Sequence, residues 1–161
     1  MPIHRFDFGP SDGASKAELL AERGPVISVR IHPPPALERA WVAQGIPLPP
    51  PVPGLALVDT GASLCAINES SIRSLGVKPI GRVRSGSAAG VGECNVYPGR
   101  IALLVRDGEM TLDHHRLTGV NLDDITLPGI DRPLIALLGR DFLQGFILHY
   151  DGPAGNWTLT H

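Results

Sequence analysis

Leu55-Ala56-Leu57-Val58 runs straight into Asp59-Thr60-Gly61-Ala62-Ser63, so an apolar strand signal ends on a carboxylate. An acidic side chain in a largely buried segment is costly unless it is paired or hydrogen-bonded. Gly61 lets backbone come close to whatever lies opposite, and Thr60 and Ser63 bring hydroxyls within reach. Of the ten aspartates in the chain, no other has this setting. Asp107-Gly108 and Asp151-Gly152 lack the hydroxyl and the apolar strand, and read as turns. Taken alone, a strand-ending Asx-turn accounts for the D-T-G just as well.

A second stretch sharpens the reading. Ile135-Ala136-Leu137-Leu138-Gly139-Arg140-Asp141-Phe142-Leu143 is an apolar strand, a glycine and a short amphipathic helix. Working outward, residues 26–31 alternate apolar and polar as a strand does. Asn68 opens a short helix that Gly76 ends. Residues 82–87 and 94–105 read as strands around a small-residue tip, Ala88-Ala89-Gly90-Val91-Gly92, and Asp107-Gly108 as a two-residue hairpin turn. Further strands fit 117–122 and Leu134–Leu138, a helix fits 140–144, and a hairpin with arms 146–150 and 157–160 closes the chain. The expected fold is mainly β with one or two short helices. Residues 1–25 read as an N-terminal arm with a helical candidate at 15–23. The domain is expected over 26–161, carrying a proline-rich insertion at 33–53 with a helical candidate at 36–44.

Composition excludes several classes. The chain has 161 residues, net charge −2, 19 glycines and 16 prolines, so turns are many and one compact domain is expected. No run approaches the roughly 20 apolar residues of a membrane span. The arginines are scattered, which argues against a nucleic-acid footprint. The start shows no basic stretch followed by an apolar one, so a cytoplasmic protein is expected. Two cysteines, Cys65 and Cys94, make no disulfide framework and read as reduced thiols.

Together, Asp59-Thr60-Gly61-Ala62-Ser63 in an apolar strand and the later Leu137-Leu138-Gly139-Arg140-Asp141-Phe142-Leu143 resemble the retropepsin-like aspartic proteases. The closing segments Phe146-Ile147-Leu148-His149-Tyr150-Asp151 and Trp157-Thr158-Leu159-Thr160 resemble the terminal hairpin of cellular and bacterial members. The glycine-rich hairpin lies where that family carries its substrate-covering flap. The resemblance implies a closed β-barrel, one acid-protease half, with a flap hairpin. It implies Asp59, Thr60 and Gly61 as the catalytic loop, and an extended peptide or protein substrate lying like an added strand. Ala62, the tip residues Ala88, Ala89, Gly90 and Val91, and the wall residues Leu137 and Leu138 would meet that substrate. Ser63, Gly139 and Arg140 would support the loop from beside it. No cofactor or metal is implied.

Hydrolysis without metal or covalent intermediate needs two facing carboxylates, one to take a proton from water and one to polarise the carbonyl. This chain carries a single D-T-G, so the second aspartate must come from another copy, and an active form is expected to be a homodimer. A rival reading is a non-cleaving module of the same fold that binds peptides or dimerises; a third is a proline-rich adaptor acting through 33–53. Viral members often pair an acidic residue after D-T-G-A with the arginine after the glycine. Ser63 and Leu64 stand there instead, so Arg140 needs another partner. Ala62 removes a hydroxyl that pepsin-like enzymes have near the dyad, which should leave the pair less acidic. His114-His115 read as a strand end rather than a metal site, because adjacent strand residues face opposite ways. Tyr97 reads as packing at the flap base or as a hydrogen-bonding aromatic of the flap, and Trp41 as an anchor for the insertion.

Overall fold

The computed structural model describes residues 1–9, 13–87 and 90–161. Its centre is a closed ring of six strands: β2 (Val26–His32), β3 (Val52–Val58), β8 (Leu134–Leu138), β4 (Ala66–Asn68), β7 (Gly108–Val120) and β6 (Gly90–Val105), with β6 pairing back to β2. The pairs β3–β8 and β4–β7 are parallel and the other ring contacts antiparallel. Closure removes the free edges that a sheet would otherwise expose. Strand β5 (Gly81–Ser87) hangs from β6 outside the ring, Gly81 opposite Val96 and Ser87 opposite Gly90, making the projecting hairpin that the sequence predicts. This is a retropepsin-like fold, mainly β, with a closed barrel and short helices.

Period-2 alternation fills the barrel. Ile27, Val29, Ile31, Val58, Ile101 and Leu103 are all buried in one cluster. Each such side chain contributes about 1.5–3 kcal/mol when fully buried. The same alternation corrects the hairpin turn. Val105 pairs with Gly108, so the two loop residues are Arg106 and Asp107, one step earlier than expected. Slipping by one residue would put Ile101 and Leu103 on the solvent face.

Four short helices are present among the described residues, two of them in segments flagged only as candidates. Helix α1 (Lys16–Arg23) begins with a capping box, Ser15 and Glu18 bonding each other's backbone N–H. Its Leu19 and Leu20 pack with Phe8, Val26 and Trp157 in a second small core. Strand β1 (Ile3–Asp7), for which the sequence shows no signal, pairs with β10 (Asn156–Thr160), which pairs with β9 (Ile147–Asp151). The arm is thus built onto the closing hairpin by backbone pairing.

Helix α2 (Pro35–Ala43) occupies the proline-rich insertion, with proline at its first turn where no N–H is needed. Leu37 packs on the barrel core, Arg100 reaches Glu38 at 3.6 Å, and Trp41 stands against Gly76. Helix α3 (Glu69–Ser74) follows Asn68, but the Asn68 side chain does not cap it. Asn68 is buried, donates to Asp123 and accepts from the Leu122 N–H, tying β4 to the chain beyond β7. Helix α4 (Arg140–Leu143) is one turn long. No helix among the described residues is long and apolar enough to cross a membrane.

Candidate active site

Strand β3 delivers Asp59 to the barrel rim, where its N–H donates to the Leu138 carbonyl at 2.9 Å and extends the parallel β3–β8 pairing. The chain then turns, the Ala62 N–H donating to the Asp59 carbonyl at 3.2 Å. Asp59 Oδ1 accepts from the N–H of Gly61 at 2.9 Å and of Ala62 at 3.3 Å. These bonds compensate the half-buried carboxylate. The loop is therefore an Asx-turn set at the barrel rim. Thr60, Gly61, Ser63 and Leu64 are exposed around it.

A second segment clamps the loop. Arg140 N–H donates to the Ala62 carbonyl at 2.9 Å and Asp141 N–H to the Ser63 carbonyl at 3.2 Å. The Arg140 guanidinium donates to the carbonyls of Thr60 at 2.9 Å and Gly61 at 3.1 Å. Arg140 thus takes its partners from the Asp59 loop of its own chain, in place of the acidic side chain missing at Ser63 and Leu64. Gly139 permits the approach, since a Cβ there would stand 2.6 Å from the Leu64 carbonyl carbon.

Asp59, Gly61, Ala62, Ser63 and Leu64 form one wall of a cleft of about 500 Å³. Its other walls are Val83, Arg84, Ser85 and Gly86 from β5, with Ala66, Thr118, Val120 and Leu137 at the base. Leu137 lines the base of the cleft. Leu138 does not: the next residue on β8 faces inward, is fully buried in the barrel core and cannot serve as a pocket wall. Gly90 and Val91 sit exposed on β6, Val91 69 % so, and neither lines the cleft. Ala88 and Ala89 lie outside the described residues. The β5 arm contributes the walls instead. The sequence reading assigns the substrate contacts to the tip and gives no signal for this arm. None of residues 33–53 lines this cleft. Asp59 is its only carboxylate among the described residues.

The hairpin is anchored at its base. Tyr97 is buried, and its hydroxyl donates to Glu69 Oε1 at 2.5 Å, which also accepts from Asn95 Nδ2 at 2.6 Å. The hydrogen bonds from Tyr97 and then Asn95 hold the Glu69 carboxyl below its ordinary value. Tyr97 thus both packs and hydrogen-bonds. No sequence signal marks Glu69, since α3 and β6 meet only in the barrel.

Cys65 lies directly behind the loop, its Sγ accepting from the Gly139 N–H at 3.3 Å and donating to Asp141 Oδ1 at 3.0 Å. Burial, then the Asp141 bond, pushes this thiol up to about 12. Cys94 is half-buried on β6, and neither thiol is in a disulfide. His114 is half-buried while His115 is exposed, as alternation on β7 requires.

A six-stranded barrel whose parallel strand pair presents a clamped D-T-G under a projecting hairpin defines the acid-protease class of fold. Residues 51–142, more than half of the chain and including both loop segments, match the family model described as aspartyl protease, and the chain belongs to that family. Comparison with curated proteins gave no match.

Proposed function

We propose that the protein is a homodimeric aspartic endopeptidase in which Asp59 of each copy forms the catalytic pair. One observation carries this reading: among the described residues a single carboxylate, Asp59, lines the cleft beneath the β5–β6 hairpin, on an exposed loop. Water held between two such carboxylates loses a proton to the ionised one as it attacks, while the protonated one polarises the scissile carbonyl. Like charges at that distance do not both ionise readily, so the pair shares one proton. Thr60 and Gly61 complete the loop. Ala62, Leu137 and the β5 arm of the hairpin receive an extended peptide, whose main chain adds like a strand. Apolar walls favour apolar residues beside the scissile bond. With Ala62 supplying no hydroxyl to the ionised form, activity extends to mildly acidic or near-neutral pH. The free thiols suit a reducing, cytoplasmic compartment.

The apolar exposure of Ile3 and Ile147, brought to either side of Thr160 by strand register, supports a second copy docking at this sheet. The test is incubation with an unfolded protein mixture from about pH 4 to about pH 7, with Asp59→Asn alongside and fragments read by mass spectrometry. Cleavage that vanishes in the variant and rises faster than linearly with protein concentration is the expected result. A folded, dimeric protein that cleaves nothing would favour the non-proteolytic peptide-binding module.

A further inference from the structure

We propose that Cys65, His114 and Asp141 form a zinc-binding site behind the Asp59 loop. The three come from different elements: Cys65 directly before β4, His114 from β7, Asp141 from α4. One ligand atom from each lies within 4.8 Å of the others. His114 Nε2 is buried without a hydrogen-bond partner among the described residues. Ligand distances of about 2.0–2.3 Å to zinc put tetrahedral ligand atoms about 3.3–3.8 Å apart. The Cys65–Asp141 pair, at 3.0 Å, has to open by about 0.5 Å, and the imidazole has at most about 1 Å to travel.

The donor set is one thiolate, one imidazole and one carboxylate, which suits zinc and disfavours calcium or magnesium. Two of the three ligands are already oriented by backbone. The Gly139 N–H donates to the sulfur and the Phe142 N–H to Asp141 Oδ1 at 2.9 Å, the kind of outer bonds that fix metal ligands. Zinc binding displaces the Cys65 proton, now shared toward Asp141, into solvent. Three protein ligands leave the fourth position to water. His114, with its neighbours Asp113 and His115, also lines a cavity of about 900 Å³ between α2 and the barrel, the side from which an ion would arrive.

The site ties β4, β7 and α4 together directly behind Ser63, whose carbonyl the Asp141 N–H holds. Its effect on catalysis rests on the reading of Asp59 above; the binding does not. The experiment is titration of the reduced, metal-free full-length protein with Co²⁺, followed by Zn²⁺. One equivalent of Co²⁺ should give a thiolate-to-cobalt charge-transfer band with four-coordinate visible bands, and Zn²⁺ should displace both. The bands should persist in Cys94→Ser and Asp59→Asn and vanish in Cys65→Ser. His114→Gln, which keeps a polar side chain at a half-buried position, should weaken binding by more than about tenfold. Zn²⁺ should raise the thermal midpoint of the native protein and leave that of His114→Gln unmoved. No charge-transfer band in the native protein, a band that survives Cys65→Ser, or one lost with Cys94→Ser would overturn the site. Because Asp59→Asn is among the arms, failure of the peptidase reading and failure of the metal site are separate results.

Discussion

Gly139 runs so close to Leu64 that a Cβ on it would stand 2.6 Å from the Leu64 carbonyl carbon and 2.7 Å from its oxygen. Both contacts are to backbone, which cannot swing aside as a side-chain tip does. Gly139→Ala therefore has to push β8 and the Asp59 loop apart. The expected cost is about 1–3 kcal/mol of stability, in the range of overpacked interiors. Peptidase turnover should fall further than the loss of folded protein accounts for. Urea unfolding beside turnover per folded molecule checks this, and an unchanged turnover would break the link between this contact and the loop.

Arg140 is an exposed side chain with two backbone acceptors, the carbonyls of Thr60 and Gly61. Arg140→Ala should cost no more than about 1 kcal/mol, since net hydrogen-bond contributions at exposed positions are small. It should nonetheless lower kcat at least about tenfold, because a looser loop misplaces the carboxylate. Arg140→Lys carries a compact charge in place of a fork and should restore only part of the loss. A kcat equal to the native value in Arg140→Ala would show that the backbone bonds of 140 and 141 hold the loop unaided.

Glu69 supplies an acid-side pH dependence. Its carboxyl is held below the ordinary 4.5 chiefly by the Tyr97 hydroxyl, then by Asn95. As pH falls below that value the unfolded chain takes up the proton first, so the stability from this group is present above about 4.5 and is lost as pH falls through the folded value. Tyr97→Phe removes the largest cause. It should cost about 0.5–1.5 kcal/mol at neutral pH and flatten the fall on the acid side. Denaturant midpoints measured from about pH 3 to about pH 6 read both effects. The same variant frees the hairpin base and should raise KM more than it lowers kcat.

Ile147 is 62 % exposed on β9, an edge strand of the closing sheet. If that face joins two copies, Ile147→Asp buries a charge in the interface and should raise the dimer dissociation constant at least about tenfold. Sedimentation velocity across a concentration series reads the shift. Activity should fall in parallel and recover as concentration rises. A variant that dimerises and cleaves normally would place the interface elsewhere.

Much of the barrel was legible because local chemistry and final environment agree. Apolar runs bounded by glycine, proline and asparagine became β3, β8 and the hairpins, and Asp59 stood out as a carboxylate at the end of such a run. Where the environment is assembled from distant segments, local signals failed. Strand β1 carries a mixed pattern, and only the free edge of β10 makes Ile3–Asp7 a strand. Leu137 and Leu138 read alike until the barrel sets one toward the cleft and its neighbour toward the core. Asn68 sits at a helix start, yet spends its amide on Asp123 and Leu122 because it is buried there. Strand periodicity, the D-T-G loop and the glycine that lets a second segment cross it are written in local sequence, since each follows from a residue's own shape and its near neighbours. What clamps that loop, which arm of the hairpin faces the carboxylate, and the meeting of Cys65, His114 and Asp141 emerge only in the folded barrel. Those relationships depend on strand register and barrel closure, through which residues far apart in the chain come to share one side of a sheet.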